Sequence, residues 1–426
     1  MEDTKFILSI DGGGIRGIIP AKIIAYIEKT VTEKIKEENP EVNIKCADLF
    51  DIIAGTSTGS ILALSLTVPN DNNRPTYDGE FMVKFYKENG NHVFPSFSTF
   101  KHVTKVLKSA EELMSKTENL VENFVTMGRS IEQKITKSNE TESKVEKRTS
   151  FFGLGWLMGG SGNETKNEIV TKSKTVDENK DKIKTTDITV STTEETEGEA
   201  TLGLIKPKYT PDGLESLLET YFGESKINKT VNDVGIFITA YNITSCERTF
   251  FTEKDDFRIQ DVIRASSAAP TFFPAKEISS NLYVDGGVFM NNPTTRAYLE
   301  ARKRFPKSKF VVVSLGTGYY KTSLNDLGNS GALQWLLPII DLLMDVEVAN
   351  HDDTMKLLAE LDGVKYYRIQ PNLDEKPNMS DVSKEEVEKL TNLGDETIKD
   401  PTYKLDEIVD LLVDKCKKKK IYPTVN

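Results

Sequence analysis

Two short apolar segments, each followed by a glycine-rich turn and a helical pattern, limit the folds that this chain can adopt. The segment 6–10 precedes the run DGGGIRG at 11–17 and a helical stretch over 18–38. The segment 49–53 precedes the run GTSTG at 55–59 and a second apolar helix pattern. Repeated strand–turn–helix units build parallel sheets whose functional loops gather at the carboxyl ends of the strands. The sequence therefore predicts an α/β fold with a mostly parallel central sheet.

The rest of the chain divides into parts of different character. Residues 101–204 are charged and become rich in Thr, Ser, Asn, Lys and Glu over 138–199. Such a composition buries too little apolar surface to offset the entropy of ordering, so we expect a partly flexible insertion. Strand-like runs return within 205–322, whereas 323–426 shows helical periodicity with few strand signals. We therefore expect a core of 1–100 and 205–322, interrupted by the insertion and followed by a helical C-terminal region.

Two smaller features each have two open interpretations. The apolar segment 151–160, which contains Trp156, is suited to a lid or a membrane-interfacial hook, or else to a patch that folds back on the body. The lysine cluster 417–420 is suited to anionic lipid headgroups, or else to the carboxyl end of a solvated helix, where cations complement the helix dipole.

The charge balance and the cysteine usage exclude several classes of protein. The chain has 55 Lys and Arg against 66 Asp and Glu, which gives a formal charge of −11. That balance argues against a nucleic-acid-binding protein and against unaided adhesion to anionic membranes. The three cysteines, Cys46, Cys246 and Cys416, lie far apart and support neither a disulfide framework nor a zinc site. No metal or cofactor is predicted, and a reducing compartment is expected.

The ends of the chain and its apolar runs bear on localisation. The first five residues are polar and acidic, and the apolar run after them is too short for a Sec signal peptide. The longest apolar stretch, 332–344, is interrupted by polar residues and falls short of the roughly 18–20 residues of a membrane span. We expect a cytoplasmic protein, or one exported by a non-Sec route, that contacts membranes peripherally.

The run at 55–59 has the pattern GxSxG between a strand and a helix, which is the context of a nucleophile elbow. Gly55 and Gly59 allow the tight turn that exposes the Ser57 hydroxyl, and the helix behind it offers free N–H groups to a developing anion. The alternative is a helix cap that happens to be rich in Gly, Ser and Thr. The structural context favours Ser57 as a nucleophile.

The run at 11–17 also satisfies GxGxxG, which raises the possibility of a dinucleotide site. That site needs a second strand ending in an acidic residue about 20 residues on, but 34–45 is charged and contains Pro40. An anion-binding loop at the same sheet edge as Ser57 fits better. Its amides, at Gly12, Gly13 and Gly14, are predicted to form an oxyanion hole, with Arg16 bracing the loop or facing a phosphate.

A serine nucleophile needs a base, and the chain has only three histidines. His351 has the chain order of an α/β-hydrolase base but lies in a charged helical stretch, not on a loop after a strand. Asp285 is the other candidate, because a short apolar strand delivers it onto a turn formed by Gly286 and Gly287. A carboxylate can serve as the base if it is partly desolvated and within hydrogen-bond reach of the serine.

Taken together, these motifs resemble the patatin-like phospholipase family. Five segments match the family's motifs in order, at 11–17, 55–59, 264–274, 285–287 and 314–318. The resemblance implies a three-layer α/β/α fold and a catalytic dyad of Ser57 and Asp285 without histidine. It further implies cleavage of fatty-acyl esters of phospholipids and lysophospholipids through an acyl-enzyme, with the oxyanion held by the amides of Gly13 and Gly14 in the glycine loop. Calcium dependence is not implied.

Two other functions stay open at this point. One is an ordinary serine esterase that uses His351 as its base. The other is a non-catalytic effector that uses the glycine loop as a phosphate or nucleotide site. For the leading hypothesis, the tract 138–199 is expected to gate access or to recruit a membrane or an activating protein.

Overall fold

The computed structural model describes residues 3–94, 207–231, 234–321, 324, 325, 328, 335, 338–375 and 378–423. The predicted insertion at 101–204, with its apolar segment 151–160, lies outside the described residues. Every strand and helix of the fold named here lies within these ranges.

The core of the molecule is an eight-stranded mixed sheet with the strand order β5-β6-β3-β2-β1-β7-β8, in which β4 also pairs with β3. The strands are β1 (Thr4–Ile10), β2 (Ile52–Gly55), β3 (Gly235–Asn242), β4 (Glu247–Thr252), β5 (Lys276–Ile278), β6 (Asn281–Asp285), β7 (Lys309–Leu315) and β8 (Lys365–Ile369). Five strands pair in parallel, in the spatial order β3, β2, β1, β7 and β8. Antiparallel pairing joins β4, β5 and β6 at the other side of the sheet. The predicted mostly parallel central sheet is confirmed.

Helices cover both faces of this sheet. They are α1 (Ile18–Lys36), α2 (Cys46–Leu49), α3 (Thr58–Ser65), α4 (Gly79–Val93), α5 (Asp212–Phe222), α6 (Ile259–Ser266), α7 (Gly287–Met290), α8 (Thr294–Arg304), α9 (Pro338–Asp362), α10 (Lys384–Lys399) and α11 (Leu405–Lys419). On one face α1 packs against α4, α10 and α11, and on the other α8 packs against α9.

Alternation along β1 shows how the two apolar layers arise. Leu8 and Ile10 belong to the large buried cluster that includes the apolar side of α1. Ile7 belongs to a second buried cluster that includes Ala297 of α8 and Met355 of α9. Because successive side chains of a strand point to opposite faces, a central strand that is buried at consecutive positions requires a layer on each side. The three-layer α/β/α fold is confirmed.

The second strand lies later in the chain than the sequence predicted. The second strand was expected at 49–53, but Leu49 ends the short helix α2 and the strand begins at Ile52. The side chain of Asp48 accepts a hydrogen bond from the Lys45 amide at 2.8 Å, and this capping interaction closes a helical turn within the apolar run. The strand that leads to the GTSTG turn is therefore short.

The C-terminal region 323–426 is mainly helical, as expected, but it also supplies strand β8, which the sequence analysis missed. This strand pairs in parallel with β7 at one edge of the sheet. Its sequence, KYYRI, lacks the continuous aliphatic run of β7, because an edge strand is only partly buried. The region thus belongs to the same sheet as the core.

Near its carboxyl end the chain forms helix α11, which finishes at Lys419. Lys417 pairs with Glu38, and Lys419 lies 3.4 Å from Asp51. These lysines therefore have partners within the protein at a helix C-terminus. In the part of the chain that the structure describes, no helix combines the length and the apolar character needed to cross a membrane.

Candidate active site

Two strands end facing each other along a single edge of β3. Strand β2 runs parallel to β3 and ends with Gly55 opposite Ile238. Strand β6 runs antiparallel and ends with Asp285 opposite Ala240. Since β4 occupies the other edge of β3, β2 and β6 must share this one. The topology therefore brings the turn after β2 and the turn after β6 to the same point of the sheet.

Ser57 lies at the turn between β2 and α3 in a strained backbone conformation. Its φ is 53° and its ψ is −120°, a combination that costs a residue with a side chain about 1–3 kcal/mol. Both flanking glycines make close backbone contacts: a Cβ on Gly55 would lie 2.2 Å from the Gly59 carbonyl oxygen. A Cβ on Gly59 would lie 2.2 Å from the Ile10 carbonyl oxygen. The GxSxG pattern thus forms the expected elbow, because only glycine fits at either end.

The elbow is held by side chains from other elements. The Ser57 amide donates a hydrogen bond to the Ser266 hydroxyl at the end of α6, with 2.9 Å between the two atoms. The Thr56 hydroxyl donates to the Met290 carbonyl at 2.8 Å and lies 2.7 Å from the Thr239 hydroxyl. The positive φ at Ser57 is therefore maintained by partners on both sides of the turn.

Asp285 is 5% exposed and lies beside the Ser57 side chain. Burial raises the pKa of its carboxyl to about 6, although the Gly287 amide and the Ser57 side chain act to lower it. The Gly287 amide donates to Asp285 Oδ1 at 2.7 Å. Gly286 packs so closely on Thr239 that a Cβ there would lie 2.0 Å from its hydroxyl oxygen. This desolvated carboxylate, ionised near neutral pH, meets the requirement for a base.

The glycine loop after β1 approaches the same point from the other side. A Cβ on Gly12 would lie 3.3 Å from the Cβ of Ser57. The Gly12 amide donates to the Asn291 carbonyl at 3.1 Å. Gly12 was predicted as one of three oxyanion donors, but this amide already has a partner. In the described part of the chain no hydrogen bond is donated by the amides of Gly13 and Gly14, so these two remain the candidate donors to an anion.

Arg16 and Asp11 anchor the two ends of this loop. Arg16 Nε donates to the Gly13 carbonyl at 3.3 Å, and its Nη1 donates to the Gly318 carbonyl at 3.2 Å. Arg16 therefore braces the loop, which is one of the two roles predicted for it. The buried Asp11 carboxylate is bound by Arg368 of β8.

Ser57, Asp285, Gly13 and Gly14 all line one cavity of ≈ 250 Å³. The other lining residues are mainly aromatic and aliphatic, among them Ile61, Phe85, Phe94, Leu214, Phe273 and Leu343. The serine and the carboxylate therefore face a mainly apolar cavity.

His351 lies elsewhere, on α9. Its Nε2 is 3.0 Å from the Glu347 carboxylate one turn earlier, and its backbone carbonyl accepts from Thr295. It is not among the residues that line the cavity of Ser57. The structure therefore does not bring His351 to the serine, whereas it does bring Asp285 there. Within the described ranges, no cluster of three or more His, Cys, Asp or Glu side chains could hold a metal ion.

Sequence reasoning missed several residues that shape this site. Ser266 lies within the matched segment 264–274 and Thr317 within 314–318, so both had a sequence signal but no assigned role. Asn291 follows Asp285 closely, and its amide group lies 3.4 Å from the Gly12 carbonyl. Arg368 had no signal at all, because it lies in the strand that was missed.

The fold and the site together define the class of the protein: a three-layer α/β/α protein with a serine elbow opposite a buried carboxylate. The model of the family described as patatin-like phospholipase matches residues 8–298, which is more than half of the chain. The chain belongs to the patatin-like phospholipase family, whose members are lipid acyl hydrolases.

Relatives from plants agree with this membership. Patatin-like protein 2 of Oryza sativa subsp. indica is 28% identical over 91% of this chain and 82% of its own. Patatin-like protein 1 of Arabidopsis thaliana is 26% identical over 92% and 81%. Patatin group D-2 of Solanum tuberosum is 23% identical over 95% and 86%. Among solved structures, VipD from Legionella pneumophila covers 97% of this chain and 67% of its own, at 15% identity and a TM-score of 0.32.

Proposed function

We propose that this protein is a phospholipase A-type acyl hydrolase that cleaves fatty-acyl esters of phospholipids and lysophospholipids through Ser57 and Asp285. The observation that carries the proposal is the meeting of the elbow after β2 and the carboxylate after β6 on one edge of β3. Both side chains line the same apolar cavity. A nucleophile, a base and a place for an acyl chain thus occur together.

In the proposed first step, Ser57 Oγ attacks the ester carbonyl carbon while Asp285 accepts the hydroxyl proton. The carbonyl oxygen becomes an oxyanion, which the amides of Gly13 and Gly14 stabilise. Collapse of this intermediate expels the alcohol, which takes the proton from Asp285, and leaves an acyl-enzyme. Loss of one such amide donor typically costs about 3–4 kcal/mol of transition-state stabilisation.

In the second step water replaces the alcohol. Asp285 takes a proton from the water as its oxygen attacks the acyl carbonyl carbon, and the same two amides hold the oxyanion again. Collapse releases the fatty acid and returns the proton to Ser57 Oγ. The pKa of Asp285, raised to about 6 by burial against the lowering effect of Gly287 and Ser57, suits a group that takes and returns a proton near neutral pH.

The substrate class is inferred from the lining of the cavity. Aromatic and aliphatic side chains make up most of the lining of the cavity that contains Ser57, which favours a fatty-acyl chain over a polar acyl group. We propose peripheral contact with a phospholipid surface and regulation by an activating protein. We propose a cytoplasmic location or, alternatively, export by a non-Sec route.

The alternatives of a His351-dependent esterase and a non-catalytic effector are less well supported. The side chain of His351 pairs with Glu347 outside the cavity. An effector that binds phosphate at the glycine loop would have no need for a strained serine or for a buried carboxylate beside it.

The proposal is tested by lipid product analysis with mass spectrometry on phospholipid vesicles and on a soluble short-chain ester. Ser57→Ala and Asp285→Asn should each lower fatty-acid release by at least about 10³-fold. Asp395→Asn, which changes a surface carboxylate paired with Lys22, is the matched control and should retain wild-type activity. Stoichiometric fluorophosphonate labelling of Ser57 should occur in the wild type.

Two outcomes would favour the alternatives. A large loss of activity in His351→Ala, with full activity in Asp285→Asn, would support the histidine-dependent esterase. Absence of both labelling and hydrolysis in the wild type, together with phosphate binding to the loop, would support the effector.

A further inference from the structure

The two peptide groups that carry the proposed oxyanion donors are each held at their carbonyl oxygen by a side chain. The Thr317 hydroxyl donates to the Gly12 carbonyl, with 2.7 Å between the oxygens. Arg16 Nε donates to the Gly13 carbonyl at 3.3 Å. The bond from Thr317 is the shorter of the two, and it is buried. The Gly12 carbonyl also accepts a longer bond, at 3.4 Å, from the side-chain amide of Asn291.

The geometry of the peptide unit links these contacts to the oxyanion hole. In a planar trans peptide the C=O and N–H bonds point in opposite directions. The Gly12 carbonyl and the Gly13 amide belong to one such plane, so a hydrogen bond that fixes the carbonyl also fixes the direction of the N–H. Thr317 makes the shorter of the two side-chain hydrogen bonds to this carbonyl and is thereby the main constraint on where the Gly13 amide points.

The loop needs such an external constraint. Gly12, Gly13 and Gly14 carry no side chains, and consecutive glycines have the widest conformational freedom of any backbone. Without the Thr317 hydroxyl, only the longer bond from the Asn291 side chain holds the Gly12 carbonyl. The peptide between Gly12 and Gly13 can then rotate, which would turn its N–H away from the serine. The close approach of Thr317, whose hydroxyl oxygen would lie 2.3 Å from a Cβ on Gly13, leaves little room for that rotation.

Thr317 is well placed to act as a rigid support. It is 3% exposed and lies in the loop that follows β7. Neighbouring amides tie this loop to β8 and the residue after it: Gly316 donates to the Ile369 carbonyl at 2.8 Å, and Gly318 donates to the Gln370 side chain at 2.8 Å. Thr317 does not line the cavity that contains Ser57, so it acts on the reaction only through the glycine loop.

We infer that Thr317 is a positioning residue for catalysis: its hydroxyl orients the Gly12–Gly13 peptide so that the Gly13 N–H faces the oxyanion. This inference rests on the proposed hydrolase function. It assigns to the loop at 316–318 an effect on the transition state that is transmitted through the glycine loop. Because the substrate itself does not meet Thr317, ground-state binding should not depend on it.

The test compares Thr317→Val, which keeps the branched shape but loses the hydroxyl, with Thr317→Ser, which keeps the hydroxyl. On a soluble short-chain ester, Thr317→Val should lower kcat by about ten- to a hundredfold, a fraction of the loss seen when a donor is removed outright. Its KM should stay within about twofold of wild type, since binding before the reaction does not use the oxyanion. Thr317→Ser should retain at least about a third of the wild-type kcat.

A transition-state analogue gives a second readout. A trifluoromethyl ketone with a short acyl chain forms a hemiketal as Ser57 Oγ adds to its carbonyl carbon, the serine proton passing to Asp285. The new oxyanion then occupies the oxyanion hole. The affinity for this inhibitor should fall in Thr317→Val by the same factor as kcat, because both depend on the Gly13 amide.

Thr67→Val is the matched control. Thr67 is also fully buried, and its hydroxyl also donates to backbone carbonyls, those of Ala63 and Leu64, but at the far end of α3. This variant should show wild-type kcat and inhibitor affinity. Should Thr317→Val fail to fold, as judged by circular dichroism, Thr317→Ala is measured with the same readouts against Thr317→Ser.

The results separate this inference from the proposed function. If the wild type hydrolyses the ester and Ser57→Ala does not, the proposed function stands, regardless of the kcat values of the Thr317 variants. In that case an unchanged kcat in Thr317→Val, or an equal loss in Thr317→Ser, overturns the role of the hydroxyl. If Ser57→Ala keeps full activity, both the proposed function and the inference fail.

Discussion

The guanidinium of Arg368 forms two parallel hydrogen bonds with the carboxylate of Asp11, at 3.0 and 2.5 Å, across 357 residues of sequence. Asp11 is 1% exposed and Arg368 is 9% exposed, so water solvates neither charge to any extent. Asp11 is the first residue of the glycine loop, and Arg368 belongs to the edge strand β8. This pair therefore ties the C-terminal region directly to the loop on which the proposed oxyanion hole depends.

Removal of the arginine should destabilise the protein strongly. Arg368→Met leaves the Asp11 carboxylate buried without its partner, and a broken buried ion pair typically costs about 3–5 kcal/mol. The free energy of unfolding, measured by urea denaturation, should fall by that amount. The double variant Asp11→Asn/Arg368→Met, which removes both charges, should recover part of the loss.

Lys34→Met provides the comparison for this experiment. Lys34 pairs with Asp410 at the surface, where the two side chains are 42% and 69% exposed, and such pairs contribute about 0–1 kcal/mol. Equal effects of Lys34→Met and Arg368→Met would show that the buried pair has no special weight in stability.

The sequence was sufficient to predict those parts of the fold and of the candidate site that depend on residues close together in the chain. A strand followed by a glycine-rich turn and a helix is a local pattern, and it indicated both β1 with its loop and β2 with the Ser57 elbow. Asp285 was indicated in the same way, by an apolar strand that ends on two glycines. The order of these units along the chain further indicated a parallel sheet.

The sequence was not sufficient for contacts between distant segments. No spacing rule connects Arg368 with Asp11, and the strand that carries Arg368 has the mixed composition of an edge. Ser266 and Thr317 lie in segments that were recognised, but their hydrogen bonds to the elbow and to the Gly12 carbonyl exist only after the sheet has formed. Likewise, the Gly12 amide is removed from the set of donors because it donates to the backbone carbonyl of Asn291, 279 positions away in the sequence.

The hydrogen bond from the Ser57 amide to Ser266 predicts a second effect on activity. Ser266→Ala removes the acceptor and leaves this amide without its partner, which costs about 1–3 kcal/mol. Because the amide belongs to the strained residue, the elbow should relax, and kcat on a soluble ester should fall by roughly tenfold or more, in line with that energy. Steady-state kinetics and fluorophosphonate labelling rates measure this loss.

Ser308→Ala serves as the control for the serine-to-alanine change. Ser308 is likewise buried, but it lies just before β7, at the opposite end of that strand from the site. Its removal should leave kcat unchanged. Wild-type labelling rates in Ser266→Ala would contradict a role for this hydroxyl in holding the elbow.

The carboxyl of Asp285 predicts the acid limb of the pH profile. Burial raises its pKa to about 6, opposed by Gly287 and Ser57, and the base must be ionised to accept a proton. The kcat/KM for a soluble ester should therefore rise tenfold per pH unit below about 6 and level off above it. His351→Gln should leave this limb in place, whereas a shift or loss of the limb in that variant would assign it to the histidine.

A different buried carboxyl, Glu28 of α1, predicts how stability depends on pH. Its two oxygens accept hydrogen bonds from the amides of Cys46, at 2.5 Å, and Gly79, at 2.6 Å. Burial raises its pKa from 4.5 to about 8, although these two amides act to lower it. Between those two values the folded protein holds a proton that the unfolded chain has lost, so stability decreases as the pH rises through this window.

The free energy of unfolding should consequently fall between pH 6.5 and 7.5 by up to about 1.4 kcal/mol per pH unit, the value for one proton. Asp11 and Asp285 also make stability decrease as the pH rises. Because burial raises the pKa of each to only about 6, their effect on stability falls mainly below pH 6.5. Glu28→Gln, which does not titrate, should abolish the slope there. Urea denaturation of both proteins across this range measures the effect, and a flat wild-type curve would show that Glu28 is ionised in the folded protein at neutral pH.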